Sequence, residues 1–399
     1  MKKWSPHSYY KIGLSKNFSR SRLAFLKQRI DAIQQGLPII LTLKHFSLIV
    51  GMSYKYIYSL IINRAGCVSR RANYRQSPYR SFRIRKKTPA NHPERYRIIY
   101  VPSVRLCAIQ RWIHKNILSL LPSSCYSYAF DKNKSIKDCA ERHMGCNWLI
   151  KVDVQNFFES ITEDQVYFEF KKMGYAPLLS YELASLCTKE RESPPYSKWT
   201  KYHYERVRTW NKIAQYQRTR KRFLPQGAPT SPLLSNLVMI PFDKKMGEIA
   251  QREGFVYTRY ADDLYLSTAN KNFNRKKALL IIKQIYDLLR AFKFKPNFAK
   301  TKISSPRAKK IVLGLVVESN GVFLQKKFKN NLEVNYHFFV KDPHMHVKNK
   351  RYKSIFSAYN HIKGLFSFAK QIEPNFCDRL IKKNNGKLLE DVLIEQTSI

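Results

Sequence analysis

The chain has 399 residues, of which 44% are hydrophobic and 14% aromatic, so it can bury a sizeable core and is not an intrinsically disordered chain. Lys and Arg total 73 against 28 Asp and Glu, a formal net charge of +45, and self-repulsion on this scale opposes folding unless a polyanion supplies countercharge. We therefore expect a nucleic-acid partner, with an anionic membrane surface as the alternative.

The cysteines and the apolar segments indicate the compartment. The seven cysteines form no CxxC pair, and their odd number argues against a disulfide framework. The N-terminal residues have no apolar signal core, and the longest apolar stretch, residues 37–51, is interrupted by Lys44 and His45 and is too short to span a bilayer. We expect a reduced, cytoplasmic chain without a membrane partner.

Residues 1–75 are predicted to form a basic N-terminal extension of short helices, because apolar residues around Leu23 and Ile30 recur with a helical period. Up to Pro93, nineteen Lys and Arg stand against one acidic residue, and tyrosines are interleaved with them. Basic groups bind phosphates and aromatic rings stack on unpaired bases, so this composition favours RNA or single-stranded nucleic acid.

Residues 76–148 contain two basic segments, SFRIRKK and RYRIIYVP, on either side of a Pro/Asn-containing turn, which predicts a β-hairpin. A helix is predicted over 103–121. Its apolar side comprises Leu106, Ile109, Ile113, Ile117 and Leu120.

Residues 149–325 mix strands and helices without a regular βαβ alternation, which predicts an α+β fold. A strand over 149–154 comes first, and a capping box that begins at Thr162 starts a helix. A hairpin over 255–268 has Ala261-Asp262 at its turn. The later predicted elements are a helix at 274–293, strands at 311–317 and 322–325, and a basic helical tail over 326–399.

Three aspartates lie in segments that otherwise favour burial: Asp153 in the first of these strands, and Asp262 and Asp263 at the hairpin turn. A buried carboxylate is costly unless it is paired or metal-bound. Mg²⁺ suits such oxygen ligands, and two ions so held can activate a 3′-hydroxyl and stabilise leaving pyrophosphate. The alternative interpretation is an ordinary Asp-Asp turn.

Five motifs, in order over roughly residues 80–325, resemble those of the reverse transcriptases, and specifically the bacterial retron-type group. They are Lys151-Val152-Asp153 through Phe158, Leu224 to Pro232 with Leu234-Ser235-Asn236, Tyr260-Ala261-Asp262-Asp263, Asn297-x-x-Lys300-Thr301, and Leu313-Gly314. The resemblance implies a right-hand polymerase with fingers at 76–148, a palm at 149–325 carrying a basic insert at 189–222, and a helical thumb at 326–399. It also implies a nucleotidyltransferase that makes DNA on RNA from dNTPs.

The resemblance assigns roles residue by residue. Asp153 and Asp262 would be direct metal ligands, and Asp263 a weaker ligand or an electrostatic support. Phe158 would exclude a 2′-hydroxyl, with core packing as the alternative. The remaining nucleotide contacts would be Gln226 and Gly227 against the nucleotide, Arg97 on the triphosphate and Lys300, or its rival Lys302, on pyrophosphate. Lys87 and Arg95 would touch template or only solvent.

The resemblance further implies a dedicated noncoding RNA as template, with one of its own hydroxyls as a candidate primer. His143, His361 and Lys363 are candidate RNA-binding residues, with an ordinary buried histidine as the alternative for His143. Cys139 and Leu313 depart from the retron pattern.

The implied biological role is antiphage defence, with an effector protein or a homo-oligomer as further partners. The insert at 189–222, with eleven Lys and Arg against three Glu, would clamp RNA or a subunit, or be a charged surface loop. Two alternative functions remain: a defence polymerase that makes repetitive or untemplated DNA without a branched product, and a catalytically silent RNA-binding scaffold.

Overall fold

The computed structural model describes residues 14–62, 78–85, 96–190 and 222–397. Residues 1–13, 63–77 and 398–399 lie outside the described residues. So do the predicted turn of the basic hairpin at 86–95, with Lys87 and Arg95, and the insert at 191–221.

Helices occupy much of the described chain. In chain order they are α1 (Arg20–Asp31), α2 (Leu43–Ile49), α3 (Tyr54–Ile62), α4 (Val104–Asn116), α5 (Ile136–Glu141), α6 (Phe157–Ser160), α7 (Glu163–Lys172), α8 (Pro177–Cys187), α9 (Ser231–Arg252), α10 (Arg275–Ala291), α11 (Lys326–Lys341), α12 (Pro343–Lys350), α13 (Ile355–Ile372), α14 (Pro374–Lys383) and α15 (Leu389–Thr397). Short 3₁₀ helices cover Leu118–Leu120 and Phe298–Lys300.

The described strands are short and pair antiparallel throughout. They are β1 (Tyr79–Arg85), β2 (Tyr96–Pro102), β3 (Trp148–Asp153), β4 (Lys189–Glu190), β5 (Arg222–Phe223), β6 (Val256–Tyr260), β7 (Asp263–Thr268), β8 (Lys302–Ser304), β9 (Ile311–Val312), β10 (Leu315–Val317) and β11 (Val322–Leu324). The sheets have the orders β1-β2, β4-β5, β6-β7-β3-β8 and β11-β10-β9. Antiparallel sheets combined with many helices confirm the predicted α+β class.

The chain divides into two compact units, and each is built from discontinuous segments. The first comprises Met1–Phe130, Val154–Lys245 and Leu288–Pro296, and the second comprises Asp131–Asp153, Met246–Asp287 and Asn297–Ile399. These units cut across the boundaries drawn for fingers, palm and thumb, which stay predictions. Among the described helices, none combines the length and apolar character that a bilayer crossing needs.

The first unit carries the predicted basic hairpin, with β1 and β2 paired from Tyr79↔Pro102 to Arg85↔Tyr96. Helix α7 begins with the predicted capping box, in which Thr162 accepts from the Gln165 backbone and Gln165 accepts from the Thr162 backbone. The prediction for Leu120 is wrong, because α4 ends at Asn116 and Leu120 is 56% exposed at the end of a tighter 3₁₀ helix.

The residues that begin and end the basic insert pair with each other in the first unit. Strands β4 and β5 pair Lys189 with Phe223 and Glu190 with Arg222. The buried Arg222 guanidinium also forms an ion pair with Glu163, at 3.1 Å from Nε to Oε1, and donates to the Ser185 carbonyl. The first and last residues of the insert therefore lie side by side in one short antiparallel strand pair.

The second unit holds the β6-β7-β3-β8 sheet, the small β11-β10-β9 sheet and helices α11 to α15. The strand predicted over 311–317 is in fact two strands, β9 and β10, which pair with each other. Leu313 and Gly314 form the connection in left-handed backbone conformations, with φ of 49° and 86°, so the chain reverses there.

Candidate active site

The β6-β7-β3-β8 sheet brings the predicted aspartates together. Asp153 ends β3, Asp263 begins β7, and the two are direct partners in the antiparallel register. Directly opposed residues have Cα atoms about 4.5–5.5 Å apart and side chains on the same face of the sheet. Asp262 is the neighbouring residue in the β6–β7 turn, so all three carboxylates gather at one end of the strands.

The turn that presents Asp262 has an unusual backbone. Ala261 has a φ of 53°, in the left-handed region that non-glycine residues rarely adopt. The fully buried Arg259 donates from Nη1 to the Ala261 carbonyl at 3.3 Å, which stabilises this conformation. The position of Asp262 is thus fixed by a buried side chain two residues before the turn.

Asp153 is 3% exposed, and both of its carboxylate oxygens accept hydrogen bonds. Lys300 Nζ donates to Oδ1 at 2.7 Å, and Asn297 Nδ2 donates to Oδ2 at 2.9 Å. The Asn297 backbone N–H also donates to the Asp153 carbonyl at 2.8 Å. The sequence placed Asn297 in a motif but gave it no role, and the structure makes it the residue that orients Asp153.

Asp263 is paired with a lysine of the neighbouring strand. Lys151 Nζ lies 2.7 Å from Asp263 Oδ2, and Tyr265 Oη donates to the same oxygen at 3.4 Å. Lys151 also lies 5.2 Å from the centroid of the Tyr265 ring. Because this ammonium already balances the charge of Asp263, the geometry favours electrostatic support over direct metal binding for that residue.

Asp262 keeps the least compensated charge of the three. Burial raises the pKa of its carboxyl, repulsion from Asp263 and Asp153 raises it further, and Lys300 opposes the shift. Crowding of this kind is relieved when a cation binds between the carboxylates.

The chemistry of the donor set fits Mg²⁺. The described part of the chain contains no group of three or more His, Cys, Asp or Glu side chains that could enclose a metal by themselves. Mg²⁺ does not need such a cage, because it is commonly bound by one or two carboxylates together with water and substrate phosphates. Asp153 and Asp262 would supply that number of ligands.

The two rival lysines have different surroundings. Lys300 forms the ion pair with Asp153, and its side chain is 59% exposed. Lys302 is an exposed residue of β8 that is paired in register with Lys151. The contact with Asp153 favours Lys300 as the residue that meets a triphosphate or pyrophosphate.

The predicted RNA contact of His143 is corrected to an internal structural role. The side chain is fully buried in the second unit, with Nδ1 2.7 Å from Ser267 Oγ and Nε2 2.7 Å from Thr258 Oγ1. It therefore bridges β6 and β7, the strands that flank the Asp262 turn. Burial lowers its pKa to about 4, and Arg142 adds to the shift, so the ring is neutral at pH 7.

Cys139, which departs from the retron pattern, joins the same buried cluster. Its Sγ donates to Thr258 Oγ1 at 3.4 Å, and burial raises the pKa of the thiol to about 11. The thiol is therefore protonated at neutral pH and serves as a packing and hydrogen-bonding group.

Four of the predicted nucleotide contacts belong to the first unit. Phe158 is half-buried, 5.4 Å from Phe157 and 6.3 Å from Phe130 between ring centroids. Its neighbour Phe157 is 4% exposed and takes the core position. Because Phe157 takes the core position, the Phe158 ring stays accessible. Contact with the sugar of a nucleotide would require this accessibility.

Gln226 and Gly227 lie against β2. The Gln226 carbonyl accepts from the Tyr100 N–H at 2.8 Å. Gly227 has a φ of 109°, and a Cβ there would be 2.9 Å from both Ile99 Cγ2 and the Tyr100 carbonyl oxygen. Contact with β2 thus requires a glycine at this position. The predicted close approach of a nucleotide to Gly227 stays a prediction. The Gln226 side chain is half-buried, and Arg97 is exposed on β2.

The two candidate RNA-binding residues of α13 are exposed. The His361 ring lies 5.7 Å from that of Tyr352. Lys363 Nζ lies 3.1 Å from Glu390 Oε1 and donates to Tyr359 Oη at 2.6 Å. Both side chains are accessible to a partner molecule. The charge of Lys363 is partly balanced by its ion pair with Glu390.

Comparison with known proteins gives consistent results. A family model described as reverse transcriptase (RNA-dependent DNA polymerase) matches residues 84–336. Retron Ec86 reverse transcriptase from Escherichia coli is 30% identical over 347 residues, which cover 87% of this chain and 89% of that protein. Retron Mx65 reverse transcriptase from Myxococcus xanthus is 25% identical over 369 residues, covering 92% and 77%.

Among solved structures, a telomerase from Candida albicans in complex with a fragment of telomeric RNA aligns with 82% of this chain and 59% of its own, at 11% identity and a TM-score of 0.39. This likeness is too distant to carry an argument.

Proposed function

Because the chain belongs to the reverse transcriptase family and is a retron-type RNA-directed DNA polymerase, we propose that it copies a dedicated noncoding RNA into DNA with Mg²⁺ held by Asp153 and Asp262. The observation that carries the proposal is the convergence of Asp153, Asp262 and Asp263 at one end of a sheet, where two lysines are their ion-pair partners among the described residues.

Bound Mg²⁺ would lower the pKa of an attacking hydroxyl and neutralise charge on the triphosphate. Three side chains of the protein position the carboxylates or reduce the repulsion between them. Asn297 orients Asp153, Arg259 stabilises the turn at Asp262, and Lys151 reduces the repulsion that Asp263 would otherwise exert. Lys300 is exposed enough to turn from Asp153 towards an incoming phosphate, where its ammonium can donate a hydrogen bond or a proton.

A standing RNA partner is supported by the charge distribution. The whole chain carries a formal charge of +45, and no acidic residue occurs between Pro343 and Ile372. On the same stretch Phe356 is 62% exposed, and His361 lies close to Tyr352. Cations for the backbone together with exposed rings for unpaired bases are the combination that binds structured RNA.

The biological role that we propose is antiphage defence, with an effector protein or a second copy of the chain as a further partner. The kinship with retron reverse transcriptases supports this role. A catalytically silent scaffold fits poorly, because a scaffold has no need of a buried Asp153 with its dedicated Asn297 and Lys300 partners.

The experiment is to isolate the nucleic acid that copurifies with the protein, digest it with RNase and treat it with a 2′,5′-debranching enzyme. If the partner RNA also supplies the priming 2′-hydroxyl, the DNA should change mobility only after debranching. DNA with a free 5′ end, or DNA joined to protein, would contradict RNA priming and favour a defence polymerase without a branched product.

A further inference from the structure

The second unit contains a cavity of about 520 Å³ whose lining includes none of the active-site aspartates. It is formed by β10, β11, α11, α14 and the segment before β9. Cavities of roughly 300–1,000 Å³ are the size that small ligands occupy.

The lining is strongly cationic. Its charged residues are Lys309, Lys326, Lys329, Arg379 and Lys383 against Glu318 and Glu333. Two of the cations are already paired, since Lys329 Nζ lies 2.6 Å from Glu373 Oε1 and Lys383 Nζ lies 3.8 Å from Glu333 Oε2. Within the described ranges, Lys309, Lys326 and Arg379 have no such ion pair, so their charges are available to an anionic ligand.

Two features of the surrounding backbone favour an anion beside these cations. The buried Lys310 donates to the carbonyls of Ser305 and Pro306, at 2.8 and 2.6 Å, and so anchors the segment that presents Lys309. Lys326 is the first residue of α11, where no side chain caps the free N–H groups, and their partial positive charge adds to that of the ammonium.

The cavity also has aromatic walls. Phe376 is 5% exposed and forms a buried wall of the cavity, whereas Phe323 is half-exposed. Gly321 lies against the Phe323 ring, and a Cβ at this position would be 3.2 Å from it. An accessible ring held beside cations is the arrangement on which nucleic-acid bases stack.

We propose that this cavity is a second nucleotide-binding site, which holds a phosphate with Lys309, Lys326 and Arg379 and stacks a base on Phe323. A free nucleotide and one unit of a single strand share this chemistry. The site is independent of catalysis, because none of these residues contributes to the carboxylate cluster.

The test uses the full-length protein and a fluorescein-labelled tetrathymidylate, followed by fluorescence anisotropy as salt is raised. Lys326→Glu with Arg379→Glu removes two of the three proposed contacts to the phosphate, so we expect at least about tenfold weaker binding and a salt slope reduced by about 0.7, the contribution of one single-strand phosphate. Lys341→Glu with Lys382→Glu is the matched control, because it makes the same charge change on the same two helices. The control should bind like the unmodified protein.

A second pair of variants tests the stacking. Phe323→Ala should weaken binding at least about fivefold, whereas Phe338→Ala, which changes an exposed ring on α11, should not.

Competition by thymidine monophosphate identifies the ligand as a free nucleotide, and competition by unlabelled tetrathymidylate alone identifies it as a strand. Equal affinity of both charge-reversal proteins, each with an unchanged melting temperature, would overturn the proposal. Primer extension by the Lys326→Glu/Arg379→Glu protein should be unimpaired, which separates this site from the proposed function.

Discussion

Lys151 Nζ lies 2.7 Å from Asp263 Oδ2, across the strand pair that carries the proposed active-site aspartates. This ion pair gives the two adjacent aspartates of the turn different electrostatic surroundings. Asp263 has a dedicated cation, whereas Asp262 has none within the described residues and a raised pKa. We expect this inequality to govern how each carboxylate contributes to catalysis.

Asp263→Asn should therefore reduce kcat/KM for primer extension by only about tenfold, because its charge is already balanced. Lys151→Met should also impair the enzyme, since it leaves Asp263 to repel its neighbours. The double variant should be no worse than the poorer single variant, as for two residues that act as a pair. Strictly additive losses in a double-mutant cycle would show that the two side chains act separately.

Lys300 should compete with the metal for Asp153. Lys300→Met is expected to lower the half-saturating Mg²⁺ concentration by up to about fivefold, because a partly exposed ion pair contributes about 1 kcal/mol or less. The same change should lower kcat, since the ammonium no longer reaches the triphosphate. Lys302→Met is the matched control in the same segment and should alter neither quantity; equal effects of both would reject the distinction between them.

Phe158 should control sugar selection. Phe158→Val should raise the kcat/KM for ribonucleotides relative to deoxyribonucleotides by about tenfold or more, because a smaller side chain leaves space for the 2′-hydroxyl. Phe130→Ala changes the neighbouring ring, 6.3 Å away, and should preserve discrimination. An unchanged ratio in Phe158→Val would return this residue to a packing role.

His143 should make folding stability depend on pH. Its folded pKa of about 4 lies below the ordinary 6.5, so the unfolded chain takes up a proton first as the pH falls. The contribution is intact above pH 6.5 and is lost between pH 6.5 and 4, by roughly 3 kcal/mol at most. Urea unfolding should show His143→Gln less stable at pH 7.5 but with a shallower decline on acidification. The exposed His361→Gln should behave like the unmodified protein, and a slope unchanged in His143→Gln would contradict the assignment.

The sequence predicted those parts of the site that depend on local pattern. Asp153 stood out because apolar neighbours surround it, and the Asp262 turn because two alternating strands flank it. The partners of Asp153 could not be found in this way, since Asn297 is 144 positions away in the chain and reaches it only through tertiary packing. The local pattern also gave no role to the Lys151–Asp263 pair, which forms only when β3 and β7 align.

The wrong or altered predictions have the same origin. A polar histidine suggested an RNA contact, but Thr258 and Ser267 satisfy His143 inside the fold from more than a hundred positions away. The helical period reached Leu120, yet α4 ends at Asn116. Gly227 was predicted to let a nucleotide approach closely, which stays a prediction, and the local pattern did not indicate that β2 also lies against it.

The central claim is that Asp262 binds a catalytic metal, and Asp262→Asn tests it most directly because the amide keeps the shape and removes the charge. Extension of a primed RNA template by dNTPs in Mg²⁺ is the measurement, with RNA affinity measured on the same preparation. We predict a loss of roughly 10³-fold or more in extension rate with RNA binding retained. Extension at a rate near that of the unmodified protein would contradict the claim.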